Sequence, residues 1–270
     1  SFNQPLNNWD VSNVTDMFFM FRDAENFNHA LDNWNVSSVT NMGRMFEGAV
    51  SFNQSLNNWD VSSVTFMFAM FRYAENFNQP LNNWDVSNVS VIESMFYDAV
   101  LFDQPLNDWD VSNVTTMEGL FGGFNNMIFN QHLDNWDVSN VTNMRRMFQR
   151  NTAFNKSLDA WDVSNVTDMF GMFGGATSFN QPLNNWDVSN LIDMSGMFNG
   201  ATSYNQPLNN WDVSNVTVMS SIFEDATNFN QDITSWCVEQ IPTEPNAFAT
   251  GSALQASFFP DWGATCTLGV

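Results

Sequence analysis

Tryptophans spaced almost evenly along the 270-residue chain predict an α/β solenoid of about ten strand-helix coils, with a parallel sheet on one face and short helices on the other. Trp9, Trp34, Trp59, Trp84, Trp109, Trp136, Trp161, Trp186, Trp211, Trp236 and Trp262 lie 25 residues apart, except for one interval of 27 and a last one of 26. Around each tryptophan apolar residues alternate with polar ones, and a stripe at i, i+3, i+4 and i+7 follows. Units of this kind bury their apolar faces only against their neighbours, so the chain reads as one elongated body.

Taking the unit in order, Trp9 and Val11 alternate with Asn8, Asp10 and Ser12, which predicts a strand over residues 8–12. Pro5, Pro80, Pro105, Pro182 and Pro207 stand before the leucine, where a missing N–H breaks no central ladder. Met17, Met20, Phe21 and Ala24 then predict a short helix, and the same face returns as Met42, Met45, Phe46 and Ala49 and as Met67, Met70, Phe71 and Ala74. Thr15, Thr40 and Thr65 precede it where an N-cap belongs. Asn3, Asn28, Asn53, Asn78, Asn130, Asn155, Asn180, Asn205 and Asn230, with Asp103 in the same place, predict a buried amide column that satisfies peptide groups at each corner.

The repeat runs over residues 1–236. Two extra residues near 122–127 predict a bulged loop, and Asn151 replaces the alanine of the stripe. Beyond Trp236 the consensus is lost, and residues 237–270 read as a C-terminal cap of the kind that seals an open core. Cys237 and Cys266 both lie in it; a structural disulfide in an oxidising compartment is one reading, and two buried thiols are the other. Ser1 enters directly into a standard unit, which leaves a missing or removed upstream segment, end-to-end association or truncation as options for that end.

Seven Lys and Arg against 29 Asp and Glu give a net charge of -22, and no Lys or Arg follows Lys156. Binding to nucleic acid needs clustered basic residues, so that class is excluded, and docking on anionic lipid is disfavoured. No apolar run is long enough to insert into a membrane. No phosphate loop, nucleophile elbow or zinc spacing is present, and His29 and His132 fall in different repeat positions, so no catalytic constellation is expected.

Asp10, Asp60, Asp85, Asp110, Asp137, Asp162, Asp187 and Asp212 occupy one repeat position, facing outward on the predicted strand. Three roles stand open for this column. Each carboxylate can accept N–H bonds from the following Ser-Asn turn, the column can form a contact face for a protein or glycan, or it can help to bridge calcium. Asn13, Asn113, Asn140, Asn165 and Asn215 begin Asn-Val-Thr triplets that match a glycosylation acceptor and equally suit a turn.

The unit Phe-Asn-Gln-Pro-Leu-x-x-Trp-Asp-Val-Ser-Asn-Val-Thr-x-Met-x-x-Met-Phe resembles the leucine-rich repeat. It is more closely similar to the BspA-like leucine-rich-repeat surface proteins, including an uncharacterised repeat family of mycoplasma and listerial surface lipoproteins. The resemblance covers residues 1 to about 236, with Trp-Asp-Val-Ser-Asn-Val-Thr returning at residues 9, 109, 136, 161 and 211. It implies a leucine-rich-repeat-like fold, export to the cell surface or medium, and adhesion in place of catalysis. The expected function is contact with an extracellular protein or glycan through the acidic, Asn-rich strand face. The alternative is a structural subunit that stacks end to end into an extracellular filament or coat.

Overall fold

The computed structural model describes residues 2–266 as a stack of coils, and the predicted strand-helix unit is not what builds it. Among the described residues the only helix is a 3-10 turn at Ala256–Phe258, and pairing between coils reaches only single-residue parallel bridges such as Asp16 with Asn41 and Asn41 with Phe66. The α/β solenoid with its parallel sheet and outer helices is therefore replaced by a stack of turns around aromatic ladders. Coils are numbered here by the stretch each adds to one side of the stack: 16–23, 41–48, 66–73, 91–98, 116–123, 143–150, 168–175, 193–200 and 218–225 are coils 1 to 9.

Coil 3 shows why the helix fails. Met67, Met70, Phe71 and Ala74 are all buried on one side, as the spacing requires. The backbone between them, however, is a run of tight turns, with Met70 N–H donating to Met67 O at 3.2 Å, Arg72 to Ala69 at 3.2 Å and Ala74 to Phe71 at 3.0 Å. Ala69 and Tyr73 have φ of 52° and 58°, the left-handed conformation that type II turns demand at their third position. One such residue every four positions returns the chain inward at nearly helical spacing. The intervening N–H groups of Met67, Ala69, Phe71 and Tyr73 then donate to Val91, Glu93, Met95 and Tyr97 of the next coil at 2.8–2.9 Å. Bonds that a helix would close within itself become a backbone ladder along the stack. Thr65 is no cap: its N–H donates to Thr40 O of the preceding coil at 2.9 Å.

The predicted strand at residues 8–12 fails because local turns consume its backbone. In coil 3 Trp59 N–H bonds to Leu56 O at 3.0 Å and Val64 N–H to Val61 O at 2.9 Å. On this side the coils are joined by side chains. The Trp59 indole donates to Leu31 O at 3.1 Å, Asn53 N–H donates to Asn28 Oδ1 at 2.9 Å, Asn83 N–H to Asn57 Oδ1 at 3.0 Å, and Asn88 Nδ2 to Ser62 O at 2.9 Å. The abundance of Asn follows from this: amides reach between coils where turn-bound peptides cannot. The column from Asn28 onward acts as expected on its neighbours, with Asp103 Oδ1 accepting from Asn130 N–H at 2.8 Å. It is not buried, however; Asn28, Asn155 and Asn205 are exposed and the rest of that run half-buried.

Three aromatic columns fill the core, and their intervals differ. Successive rings of the Phe21 column are 5.3–5.9 Å apart, those of the Phe27 column 5.8–6.3 Å, and the stacked tryptophan pairs Trp34–Trp59, Trp84–Trp109, Trp136–Trp161 and Trp211–Trp236 6.3–6.5 Å. Equivalent groups are thus farther apart toward the Trp side, so the stack fans open from the backbone ladder. Among the buried groups without protein partners are both polar atoms of the fully buried Asn151 side chain and the hydroxyl of Tyr204, which stands in the Phe27 column.

The ladder continues past Trp236, because Ser221, Phe223 and Asp225 N–H donate to Asn246, Phe248 and Thr250 at 2.8–3.0 Å. Ala247 and Gly251 again have left-handed φ of 52° and 76°, so a further coil with divergent sequence follows coil 9. Cys237 and Cys266 form a disulfide with their Cα atoms 5.6 Å apart.

Candidate functional site

The eight aspartates at the predicted site are all exposed, and each closes a local turn. Asp137 Oδ1 accepts from Ser139 N–H at 3.0 Å and from Ser139 Oγ at 2.6 Å. Asp10, Asp60, Asp85 and Asp110 make the same pair of bonds, and Asp162, Asp187 and Asp212 accept the N–H of Ser164, Ser189 and Ser214. The serine hydroxyl, then the serine N–H, hold the carboxyls of Asp10, Asp85, Asp137 and Asp187 below the usual aspartate range. Asn35 stands in this column and makes the same turn, accepting from Ser37 N–H at 3.2 Å and Oγ at 2.7 Å. The turn thus needs an oxygen and not a charge. Among the described residues no three His, Cys, Asp or Glu side chains gather where they could hold a metal ion. The amides of Asn113, Asn140, Asn165 and Asn215 donate to serine carbonyls of the preceding coil at 2.7–2.8 Å, so the nitrogen that a glycan would occupy is engaged in stacking.

A different surface carries the variation between repeats. The outward positions of the backbone ladder change from coil to coil while the rest of the unit is copied; one of them reads Phe18, Gly43, Phe68, Glu93, Glu118, Arg145, Phe170, Ser195 and Ser220. Stacking fixes the copied positions, so the varying ones are free to serve something else. All six arginines of the chain, Arg22, Arg44, Arg72, Arg145, Arg146 and Arg150, lie on this ladder face.

All of these arginines except Arg150 stand over aromatic rings among the described residues. Arg22 and Arg44 lie 4.7 and 5.6 Å from the centre of Phe19, Arg44 lies 4.8 Å from Phe68, and Arg72 lies 4.8 and 5.1 Å from Tyr73 and Tyr97. Farther along, Arg145 and Arg146 lie 4.5 and 5.0 Å from Phe170. Each such pair contributes about 0.5–1 kcal/mol at an exposed site. Gly43 makes room in the first group, since a Cβ there would come within 2.6 Å of Phe66 and 2.9 Å of Phe18.

Ion pairs divide the arginines. Arg22 and Arg44 both reach the buried Glu47, at 3.2 and 3.3 Å, and Arg145 meets Asp168 at 2.8 Å. Arg72, Arg146 and Arg150 have no carboxylate within 4.0 Å among the described residues, although acids outnumber bases 29 to 7 in the chain. Burial, with the neighbouring Glu118 adding to it and Arg72 opposing it, raises the Glu93 carboxyl above its ordinary value.

Backbone conformation marks the same residues. Phe19, Arg44, Tyr73, Arg146 and Arg150 have φ of 53–64°. For residues other than glycine this costs about 1–2 kcal/mol each. Coils 7 and 8 place glycine at these positions instead, so bulky side chains are not needed to make the turns.

Where the glycines fall, the face sinks into a groove of about 820 Å³ across coils 6 to 9. Its floor is Gly171, Gly174, Gly175, Gly196 and Gly200, and its walls include Gln149, Arg150, Phe170, Ser195 and Asn199. The Ser195 hydroxyl, in a residue only 5% exposed, has no protein partner. An unpartnered buried hydroxyl costs about 1–3 kcal/mol.

Turn-built coils, side-chain amide ladders and a variable ladder face define a repeat protein with a copied frame and one diversified surface. The chain belongs to the family described as Mycoplasma protein of unknown function, DUF285, whose model matches overlapping windows at residues 1–79, 30–128, 79–173, 101–203, 123–236 and 158–262. Comparison with curated proteins and with solved structures gives no match. The aspartate column was visible in the sequence because it repeats; the ladder face escaped notice because it does not. The signal that marks it is glycine pairs four residues apart, Gly171 with Gly175 and Gly196 with Gly200, inside a supposed helix.

Proposed function

We propose that this protein is a non-catalytic contact protein of the cell surface or medium that binds a partner protein or glycan through its ladder face. The observation that carries this reading is the coincidence of variation and strain. Phe19, Arg44, Tyr73, Arg146 and Arg150 occupy left-handed positions that other coils give to glycine, at a conformational cost that stacking does not require. Arginine beside Tyr and Phe is also the composition of energetically dominant contact residues at protein interfaces. The BspA-like resemblance, which implies adhesion, agrees with this reading. The aspartate column is assigned instead to turn closure and to the acidity that keeps copies apart.

The test is adhesion of chain-coated beads to cells and to arrays of matrix proteins and glycans. Phe19→Gly with Tyr73→Gly removes two rings and leaves the turns at ease, so adhesion should fall while thermal unfolding stays where it was or rises. Asp110→Asn, Asp137→Asn and Asp162→Asn together should leave adhesion intact. The opposite pattern would return the contact face to the aspartates.

A further inference from the structure

We propose that the groove across coils 6 to 9 is a binding site for an anionic oligosaccharide, its acidic group taken by Arg150 and Arg146 and its sugar rings laid over the glycine floor beside Phe170. This deepens the ladder-face reading and rests on it.

Charge is the first argument. In a chain with a net charge of -22 the groove is lined by no carboxylate, and the charged side chain in its wall is Arg150. The Arg150 side chain makes one hydrogen bond, from Nη1 to Phe124 O at 3.1 Å, and no ion pair among the described residues. Arg146 borders the floor: its Cγ lies 3.7 Å from where a Cβ of Gly171 would be, and its Nε is buried without a protein partner. Of the nearby acids, Asp168 and Asp193 are paired with Arg145 at 2.8 and 3.9 Å, while Glu224 stands behind the wall and accepts from Asn199 Nδ2 at 2.8 Å. Two guanidinium groups left unpaired in acidic surroundings fit a carboxylate or sulfate that arrives with the ligand. At physiological salt the remaining acidic surface is screened beyond about 8 Å.

The rest of the groove selects a saccharide over a peptide. Strand addition is closed to a peptide, because the N–H groups of Gly171 and Gly175 already donate to Ser195 O and Asn199 O, at 2.9 and 2.6 Å. Apolar pockets for alternate side chains are missing as well, since the floor is glycine and the walls carry short polar groups. A sugar needs what is present: a hydroxyl in Ser195, amides in Gln149 and in Asn199, whose Nδ2 also serves Glu224, and a flat floor edged by Phe170, whose ring lies under Arg145 and Arg146. The unpartnered Ser195 hydroxyl, in a residue 5% exposed, supplies a built polar contact that the fold itself does not use.

Titration calorimetry of the full chain tests this with four probes of similar length: an oligogalacturonate, a heparin-derived oligosaccharide, a neutral glucan oligosaccharide and poly-glutamate. At least one anionic oligosaccharide should bind, and comparison of the first two separates a carboxylate from a sulfate as the recognised group. The neutral glucan and poly-glutamate should each bind about tenfold more weakly or worse. Arg150→Gly, which suits the local φ of 55°, should weaken binding about tenfold or more. Gly196→Asn fills the floor at a φ of 61° that Asn tolerates better than most residues, and should do the same; thermal unfolding should hold or rise for Arg150→Gly and fall only slightly for Gly196→Asn. Poly-glutamate binding as tightly as the sugars would replace the assignment with an acidic protein partner. Equal binding of the neutral glucan, undiminished binding by both variants, or no binding of either anionic sugar would overturn it. Such a failure, with adhesion still lost in the Phe19→Gly, Tyr73→Gly variant, would leave the contact reading standing. Retained adhesion in that variant, with no anionic sugar bound, would defeat the contact reading, whereas retained adhesion with the sugar bound would confine the contact to coils 6 to 9.

Discussion

Replacing Trp136 by Phe isolates the side-chain ladder that joins the coils opposite the backbone one. The Trp136 indole donates to Leu106 O of the preceding coil at 2.8 Å, in a residue 3% exposed. Leu106 O also accepts the turn bond of Trp109 N–H at 3.1 Å, so losing the indole does not orphan the carbonyl. The loss is then one buried hydrogen bond, about 1 kcal/mol, plus the packing of the missing pyrrole atoms, roughly 2 kcal/mol. Trp9 is the internal control, since it holds the same repeat position but is 57% exposed. Trp9→Phe should therefore change stability by less than about 0.5 kcal/mol. Denaturant unfolding should separate the two variants by roughly 2–3 kcal/mol. Because repeat stacks can open locally, hydrogen exchange of the Phe121 and Phe148 amides should report the same order. A difference between the two variants of less than about 1 kcal/mol would refute both contributions, since packing alone should leave roughly 2 kcal/mol.

Tyr204→Phe should be stabilising by about 1 kcal/mol in thermal unfolding, since it removes a buried hydroxyl without a protein partner and restores the residue its column otherwise uses; a clear loss would reveal an unseen partner. Asn151→Ala puts the usual residue of the repeat into a buried slot and should likewise raise the midpoint, while a lowered one would mean that the amide's bulk outweighs its unmet bonds. Reducing the Cys237–Cys266 disulfide, which spans 29 residues, should cost about 3–4 kcal/mol and should appear first as faster exchange of the Asp225 amide, with unchanged exchange counting against a role in that end. For Asp137, whose carboxyl is lowered by the Ser139 hydroxyl and then its N–H, folding favours the ionised form. That stabilisation is present above the ordinary carboxylate range and is lost as pH falls through the lowered value. A carbon NMR titration should find its midpoint below about 3.9, and a midpoint at or above that would refute the turn assignment.

The period, the inward residues and the cysteine pairing were legible, because each repeats or is unique: Trp59, Val61, Val64, Met67 and Phe71 are all buried. The backbone was not, because a pair of type II turns four residues apart brings Met67, Met70, Phe71 and Ala74 to one side much as a helix does. Ala69 and Ser94 carry no local sign of their left-handed conformation, with φ of 52° and 55°. Glycine at Gly119, Gly171 and Gly196 in the same place was the available contrary signal. Of the two candidate surfaces only the copied one could be read. Asp137 and its equivalents stood out by repetition, and repetition is what stacking produces.

The unequal intervals along the stack also give it a mechanical polarity. On one side peptide groups are bonded at 2.8–2.9 Å, as in coil 3, and have no rotamers to give. On the other, where stacked tryptophan rings such as Trp34 and Trp59 or Trp136 and Trp161 lie 6.3–6.5 Å apart, the coils are held through jointed amide and indole arms. A body pulled or bent from its surface would yield along the arms and keep the ladder's spacing. A partner lying on the ladder would then feel an almost unchanging ruler while the opposite side takes up the strain.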